Sequence, residues 1–328
     1  MRKLKIGVIG TGHLGKLHTK FFKNILRSDL IGVYDKNPEI AESVGKELEV
    51  RVFNSVEELL NNVEAVSIVT TTSSHYEIAK KALETGKHVF IEKPITTKIE
   101  EAEELVEIAD DKKLKLQVGH IERFNPALLS LEKYHLDPMF IQTDRLAQFN
   151  PRGTDVAVVL DLMIHDIDII LSLIKSKVKE IRASGVAVVS DNIDIANARI
   201  EFENGAVANV TASRISQKKM RKMRMFQRNT YFALDFISGV SEVYRLISPN
   251  DINVEHFLTF GVIGVGEKKK AVVYEQPEHK EVNALKHELE LFVNSVLDDV
   301  KPVVSGKDGL RALKIAEIII KKIKESQI

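Results

Sequence analysis

The sequence predicts two domains: an α/β domain with a parallel sheet, then an α+β domain with a large open, mainly antiparallel sheet. The chain has 328 residues, which exceeds a single ordinary core. Up to Gly119, short apolar runs alternate with helical patterns, as in a parallel sheet wound by helices. From Val178 to about Tyr274, strand follows strand with little helix. We place the domains at 1–121 and 122–328, with the last helix packing back toward the first domain.

The elements of the first domain follow from apolar runs, because strands buried on both faces are apolar throughout. The strand candidates are Leu4–Gly10, Leu30–Asp35, Val50–Phe53, Ala65–Thr70, His88–Glu92 and Lys115–Gly119. The helix candidates are His13–Leu26, Pro38–Leu48, Val56–Asn61, Ser74–Thr85 and Lys98–Asp111. Gly86 stands where a helix C-cap is expected, and Ser74 where an N-cap is expected.

The elements of the second domain begin at Asn125-Pro126, where an N-cap residue precedes a proline at the first helical position. This pair predicts a helix to about Tyr134. The segments that follow are a strand at Met139–Phe149, a helix from about Asp155 to Lys175, and strands at Val178–Ser190, Ile195–Glu203, Ala206–Ile215 and Arg221–Phe226. Asn204-Gly205 predicts a tight hairpin turn. Amphipathic helices are predicted at Asn283–Asp299 and Gly306–Lys324.

The composition excludes several classes of function. Lys+Arg and Asp+Glu both count 47, so no overall field recruits nucleic acid or an anionic membrane. The absence of cysteine excludes disulfides, thiolate metal sites and Fe–S clusters. The first residues enter a strand without an apolar leader, and no segment reaches the roughly 18 apolar residues of a membrane span. We therefore expect a cytoplasmic protein that binds neither nucleic acid nor membrane.

The strongest local signal is a glycine-rich run directly after the first strand: Gly10, Thr11, Gly12, His13, Leu14 and Gly15. It opens a helix, and Asp35 at the end of the second strand follows twenty residues later. Gly10 permits a tight turn, Gly12 lets the backbone approach a pyrophosphate, and Gly15 lets helix and strand pack closely. The run predicts a Rossmann dinucleotide-binding unit. The alternative is a helix N-terminus that binds no ligand.

Asp35 favours one of the two nicotinamide cofactors. A carboxylate at this place accepts hydrogen bonds from ribose hydroxyls and repels a 2′-phosphate, so NAD is favoured over NADP. Lys36 beside it could neutralise such a phosphate, or it is a solvated surface charge.

Glu92-Lys93-Pro94 follows the strand candidate His88–Glu92, at the carboxyl edge of the predicted sheet. Ligands of such folds bind at this edge. A lysine there can bond the oxygen whose carbon exchanges hydride, and its charge stabilises alkoxide character. Pro94 restricts Lys93 to extended geometry. The alternative is an exposed lysine in a turn.

A third candidate group lies in the helix predicted at 155–175. Spacings of four and seven put Asp161, His165 and Asp168 on roughly one face. A histidine beside a carboxylate has the basicity to take a proton from a carbinol near neutral pH. The alternatives are a structural histidine held by carboxylates of its own helix and a divalent metal site. We predict no metal because the neighbouring residues are apolar.

In this order, the glycine-rich run, Glu92-Lys93-Pro94 and Asp161-x-x-x-His165 resemble the Gfo/Idh/MocA oxidoreductases over essentially the whole length. The chain departs from that pattern at Thr71, where members commonly have proline, and at 158–160, where they often have glycine. The resemblance implies that Lys93 polarises a substrate hydroxyl, that His165 is the acid/base, and that Asp161 orients His165 or relays its proton. It implies further cofactor contacts from Thr70, Thr71, His75, Glu92, Lys93 and Arg123. It also implies a homodimer or homotetramer formed through the open sheet.

Three stretches, Gly119–Pro126, Asp161–Asp168 and Ser213–Gln227, resemble the nucleotide-sugar 3-dehydrogenase branch of that family. This resemblance implies oxidation of a sugar hydroxyl, most specifically C3 of UDP-N-acetylglucosamine, coupled to a pyridoxal-phosphate transaminase. The substrate contacts it implies are Lys93, Glu122, Arg123, Asn125, Arg152, Asp161, His165, Arg221 and Lys222. The basic stretch Ser213–Gln227 could hold a diphosphate or be a solvated loop. The alternatives are a dehydrogenase of a free polyol or sugar and a non-catalytic dinucleotide-binding regulator.

Overall fold

The chain divides into two units. The first unit joins Met1–Ile121 to Asn283–Lys314, and the second joins Glu122–Val282 to Ile315–Ile328. The structure, a computed structural model, describes residues 2–150, 156–248 and 258–326. Within these residues, no helix has the length and apolar content that crossing a membrane requires.

The first unit is built on a five-stranded parallel sheet with the strand order β2-β1-β3-β4-β5. Its strands are β1 (Leu4–Ile9), β2 (Ser28–Tyr34), β3 (Ala65–Ile68), β4 (His88–Glu92) and β5 (Leu116–Gly119). Its helices are α1 (His13–Asn24), α2 (Pro38–Leu48), α3 (Val56–Leu60), α4 (His75–Glu84), α5 (Ile99–Asp111) and α8 (Ala284–Leu297). The chain moves from β1 to β2 on one side and then crosses to β3 on the other, so the order reverses between β1 and β3. Ligands of open parallel sheets bind at such a switch point.

The segment Val50–Phe53 does not form the strand that the sequence predicts. It meets β2 through a single bridge between Val33 and Val52. The Val33 amide donates to the Arg51 carbonyl at 2.8 Å, and the Phe53 amide donates to the Val33 carbonyl at 2.9 Å. The pairing stops there because Ser55 already caps α3, its side chain accepting from the Glu58 amide. The prediction of a further strand here was wrong.

The second unit is built on a nine-stranded sheet with the order β13-β14-β12-β11-β10-β6-β9-β8-β7. Its strands are β6 (Phe140–Leu146), β7 (Val178–Val186), β8 (Ile195–Phe202), β9 (Val207–Ser213), β10 (Met220–Gln227), β11 (Thr230–Asp235), β12 (Val240–Ile247), β13 (Leu258–Ile263) and β14 (Lys270–Glu275). The pair β6–β9 is parallel, and the other pairs are antiparallel. Gly205 turns the β8–β9 hairpin with a φ of 85°. The predicted fold class is confirmed in both units.

The helices of the second unit are shorter than the sequence predicts. The helix α6 (Pro126–Leu129) ends early because the amides of Leu131 and Glu132 bond three residues back rather than four. A π-helical turn at Val159–Met163 precedes α7 (Ile164–Leu173). The first residue predicted for this helix, Asp155, lies outside the described residues. The helix α9 (Gly306–Ser326) is not shorter than predicted, and its residues up to Lys314 belong to the first unit.

The two faces of the nine-stranded sheet differ. On β10, Met223 and Met225 are buried, whereas Lys222 and Arg224 are exposed. Since side chains alternate along a strand, Arg221 shares the face of Met223, and Lys222 lies on the other, open face. Arg221 and Lys222 therefore point to opposite sides of the sheet, although they are neighbours in sequence.

Candidate functional site

The glycine-rich turn after β1 has the conformation that only glycine adopts readily. Gly10 has a φ of 92°, and a Cβ there would lie 2.6 Å from the Val69 carbonyl oxygen. A Cβ at Gly15 would overlap the carbonyl oxygen of Gly10, so α1 packs directly on the turn. At Gly12, the N-cap of α1, no atom of the described chain outside its own neighbours and the adjoining helix backbone lies within 4 Å of the position of a Cβ. The helix N-terminus is therefore open to an anion.

Asp35 is fixed against this turn by three hydrogen bonds. Its Oδ2 accepts from the Thr11 amide at 2.6 Å and from the Thr11 hydroxyl at 3.2 Å. Its Oδ1 accepts from the Asn37 amide at 2.9 Å. The carboxylate at the end of β2 is thus held beside the glycine-rich turn, at the position that the fingerprint assigns to recognition of a ribose.

A cleft of about 420 Å³ lies at this edge of the first unit. Its lining residues are Ile9, Gly10, Gly12, Tyr34, Asp35, Lys36, Val56, Val69, Thr70, Thr71, Ser74 and Ile78. Six of the residues predicted from the sequence to contact a cofactor are therefore brought together in it. Open glycine backbone, a fixed carboxylate and apolar walls match the phosphates, ribose and adenine of a dinucleotide. Of the other predicted contacts, His13 and Leu14 are exposed in the first turn of α1, and Thr11 is buried.

His75 connects the loops that follow β3 and β4. Its Nδ1 lies 2.9 Å from the Pro94 carbonyl oxygen, and its Nε2 lies 3.2 Å from the Thr70 carbonyl oxygen. Burial lowers the pKa of His75, and the bonds to the two carbonyls oppose that shift only in part. The neutral ring donates to one carbonyl at a time. The buried His75 side chain thus joins Thr70, which lines the cleft, to the loop that bears Lys93.

Glu92 is held by a histidine that the sequence analysis missed. Its Oε1 lies 3.2 Å from Nε2 of His18, whose Nδ1 lies 2.9 Å from the Ser67 hydroxyl. His18 is fully buried on α1, on the face that also buries Phe22. The signal available in the sequence was a polar ring at a core position of the first helix. Lys93, the next residue after Glu92, is half-buried at the end of β4, and its bond to Pro94 is cis.

Asp161 and His165 stand out in a helical segment that is otherwise mostly buried. Asp161 lies in the π turn and His165 in the first turn of α7, and both are half-buried. Asp168 does not share their environment. Asp168 is buried, and its carboxylate accepts hydrogen bonds from Nε and Nη2 of Arg123, both at 2.6 Å. The pairing with Arg123 therefore separates Asp168 from the half-buried Asp161 and His165.

A buried ion network lies beside this helix. Arg145 on β6 donates to Asp166 through Nε at 2.9 Å and Nη2 at 2.8 Å, and to Glu122 through Nη1 at 3.0 Å. Arg221 on β10 also donates to Glu122, at 3.2 Å. Burial alone would lower the pKa of Arg145, but the two carboxylates outweigh it and raise the pKa above its ordinary value. The signal for Arg145 in the sequence was a charged residue at one of the alternate strand positions that are otherwise buried.

Asn125 has a structural role at the start of α6. Its Oδ1 accepts from the Ala127 amide at 3.0 Å, as the predicted N-cap requires. Its Nδ2 donates to Oε2 of Glu122 at 3.2 Å and to the Phe236 carbonyl at 3.0 Å. The residues Glu122, Arg123 and Asn125, which the sequence places at the substrate, are thus all held by partners within the second unit.

A second cleft, of about 330 Å³, lies in the second unit. Its lining residues are Leu146, Ala147, Gln148, Asn150, Asp161, Leu162, Arg214, Lys219 and Arg221. It brings together the predicted residues Asp161 and Arg221 and adds Lys219, which the sequence analysis did not single out. Lys222 lies on the other face of the sheet, 3.6 Å from Asp235. Arg152 lies outside the described residues.

No group of three or more His, Asp or Glu side chains within the described ranges is arranged to hold a metal ion.

Two protein families match the chain. One is described as "Oxidoreductase family, NAD-binding Rossmann fold" and matches residues 4–120. The other is the GFO/IDH/MocA C-terminal domain, which matches residues 135–229. Each match falls within one of the two structural units.

Individual proteins are also similar. UDP-N-acetylglucosamine 3-dehydrogenase from Acidithiobacillus ferrooxidans is 43% identical over 246 residues, which are 75% of this chain and 78% of that protein. A solved structure of UDP-N-acetylglucosamine 3-dehydrogenase from the same organism has a TM-score of 0.88 at 36% identity, covering 99% of both chains. The scyllo-inositol 2-dehydrogenase (NAD(+)) of Bacillus subtilis is 30% identical over 234 residues, 65% of this chain and 68% of that protein.

Proposed function

The chain belongs to the Gfo/Idh/MocA family of NAD-binding oxidoreductases, and we propose that it oxidises C3 of a UDP-sugar. The proposed substrate is UDP-N-acetylglucosamine or a close relative, and the product is the 3-keto sugar. The similarity to UDP-N-acetylglucosamine 3-dehydrogenase over three quarters of the chain supports this substrate class.

The reaction removes a hydride and a proton from a secondary alcohol, and NAD held by the first unit would supply the acceptor for the hydride. Lys93 stabilises the oxygen as it becomes negative. His165 takes the hydroxyl proton, and Asp161 orients the imidazole or relays that proton. Asp35 and the amides at Gly12 would hold the ribose and the pyrophosphate of the cofactor.

The observation that carries the proposal is the cleft of the second unit. Asp161 lies four residues before His165, the proposed acid/base. It lines this cleft together with the cationic residues Lys219 and Arg221. Nearly half of the Arg221 side chain is exposed, at 48%, so its guanidinium can meet a ligand. A diphosphate needs such cations. A free polyol offers no charge to them, and a regulator has no need of both Lys93 and His165.

The substrate class is tested by a screen of UDP-sugars and inositols for NADH formation. Oxidation of a secondary alcohol by NAD is uphill, so each substrate is measured with and without a pyridoxal-phosphate transaminase and an amino donor. We expect NADH from UDP-N-acetylglucosamine, with more NADH when the transaminase removes the ketone. NADH from inositols alone would favour the polyol dehydrogenase instead.

Arg221→Gln is expected to raise the KM for the UDP-sugar about 10-fold or more, because a charge-assisted bond to phosphate is lost. The matched control is Arg224→Gln, which removes the same charge from the same strand on the opposite face. Steady-state kinetics of both variants compare the two faces directly. An equal KM in Arg221→Gln and the unmodified protein would contradict binding of the diphosphate in this cleft.

Asp35→Ala is expected to weaken NAD binding about 10-fold while affecting NADP much less. The carboxylate accepts from ribose hydroxyls, and in NADP one of these carries a phosphate that the carboxylate repels. Calorimetric titration with each cofactor measures the change. Equal losses for NAD and NADP would show that Asp35 acts only by holding Thr11.

We also propose that a second copy of the chain covers the open face of the nine-stranded sheet, giving a dimer or tetramer. Aromatic rings form a continuous row across this face, including Phe226 against Tyr231 at 4.6 Å and Tyr231 against Tyr244 at 5.4 Å. The row continues to Phe260 on β13, where the side chain is 64% exposed. An apolar surface of this kind favours burial against another protein surface.

A further inference from the structure

Two arginines face each other across the pair β6–β10. Arg145 and Arg221 are register partners on adjacent strands. Arg221 is two residues from Met223 on β10, and Arg145 lies directly opposite Arg221 on β6. Both side chains therefore lie on the face of the sheet that also carries Met223. Like charges in directly opposite positions repel each other. The side chains around them must therefore compensate for two neighbouring positive charges.

The carboxylate of Glu122 provides that compensation. Its Oε1 accepts from Nη1 of Arg145 at 3.0 Å and from Nη1 of Arg221 at 3.2 Å. Its Oε2 accepts from Nδ2 of Asn125 at 3.2 Å. Only 8% of the Glu122 side chain is exposed, so water weakens these contacts little.

The two arginines differ in what they can reach. Arg145 is buried, and its Nε and Nη2 both donate to the carboxylate of Asp166, the residue next to His165. Arg221 is half-exposed and lines the cleft together with Asp161. Glu122 bonds one nitrogen of the Arg221 guanidinium, and a guanidinium has five N–H donors. Arg221 can therefore keep its bond to Glu122 and bind an anion in the cleft as well.

We propose that Glu122 is a positioning residue, which holds Arg221 against the repulsion of Arg145 so that its guanidinium meets the phosphates of the substrate. Through Arg145 and Asp166 the same carboxylate is linked to the helix that bears His165. The identity of the ligand rests on the proposed function. Glu122 itself does not touch the substrate in this account.

The test is a double-mutant cycle on the binding of UDP, measured by calorimetry. Arg221→Gln removes the guanidinium, and Glu122→Gln keeps the shape of the side chain but removes its charge. We expect Glu122→Gln to weaken UDP binding about 5-fold or more. In the Arg221→Gln background the same change should have little further effect, because the group that Glu122 positions is already gone. If Glu122→Gln does not fold, Glu122→Asp is measured in its place.

The matched control is Asp168→Asn. Asp168 is also buried on α7 and also accepts two hydrogen bonds from an arginine, but that arginine is Arg123 rather than Arg145 or Arg221. Its effect on UDP binding should be the same with and without Arg221→Gln. If Asp168→Asn also weakened UDP binding only when Arg221 is present, the effect of Glu122→Gln could be explained by general damage to the helix.

Two outcomes would overturn the proposal. Tighter UDP binding by Glu122→Gln would show that the carboxylate competes with the ligand for Arg221. Equal effects of Glu122→Gln in both backgrounds would show that it does not act through Arg221. The melting temperatures of the unmodified protein, the two single variants and the double variant test the contact between Glu122 and Arg221 without any ligand. Residues that interact lose stability non-additively. Absence of UDP binding by the unmodified protein, with a non-additive melting temperature, would contradict the proposed function and leave the pairing intact.

Discussion

Lys93→Met is expected to lower kcat at least about 1,000-fold while NAD still binds. Methionine has nearly the length of lysine but no charge, so the oxyanion that forms as hydride leaves is no longer stabilised. The glycine-rich turn and Asp35, which we propose to bind the cofactor, follow β1 and β2 and are joined to each other through Thr11, without the Lys93 side chain. NADH formation and a separate titration with NAD measure the two effects.

The control for this variant is Lys98→Met. Lys98 follows the same loop, is 70% exposed and lies 3.6 Å from Glu101, so its charge is solvated. Its loss should leave turnover unchanged, because surface pairs of this kind contribute little. Turnover close to normal in Lys93→Met would remove Lys93 from its proposed role.

His165→Asn is expected to lower kcat about 100- to 10,000-fold, the range typical for loss of a general base. Asparagine keeps a polar side chain but cannot take the proton. In the unmodified protein the rate should rise with pH as the histidine loses its proton, and in the variant this rise should disappear. A pH series of kcat for both proteins makes the comparison.

His135→Asn is the matched control, because His135 is an exposed histidine in the loop between α6 and β6. It should retain both the rate and its pH dependence. A His165→Asn variant with the same pH profile as the unmodified protein would assign the titrating group to another residue.

The parts of the fold that could be predicted are those with local signals. The helix α2 begins at Pro38 because Asn37 accepts from the amides of Glu39 and Ile40, a cap that is visible in the sequence. Gly86, just after α4, has a φ of 77°, as a helix C-cap glycine does. The turn at Gly10 was predictable in the same way, since glycine at that spacing after a strand is required by backbone geometry.

The parts that could not be predicted depend on contacts between distant segments. Glu122 meets Arg145 and Arg221 only when β6 and β10 pair, and no sequence period relates these positions. The predicted strand Arg221–Phe226 places Arg221 and Lys222 on opposite faces, but which face borders the cleft depends on distant residues such as Leu146 and Asp161. The burial of Asp168 could not be predicted from the spacing of polar residues, because it depends on Arg123, which lies 45 residues away in the chain.

The most direct test of the account uses UDP-N-acetylglucosamine with deuterium at C3 of the sugar, incubated with the protein, NAD and a transaminase with its amino donor. The account predicts that NADH forms and that mass spectrometry finds the deuterium on its nicotinamide ring, whereas substrate deuterated at C4 gives unlabelled NADH. NADH without the label from the C3-deuterated substrate would contradict oxidation at C3. No NADH from any UDP-sugar, with NADH from inositols, would contradict the nucleotide-sugar substrate.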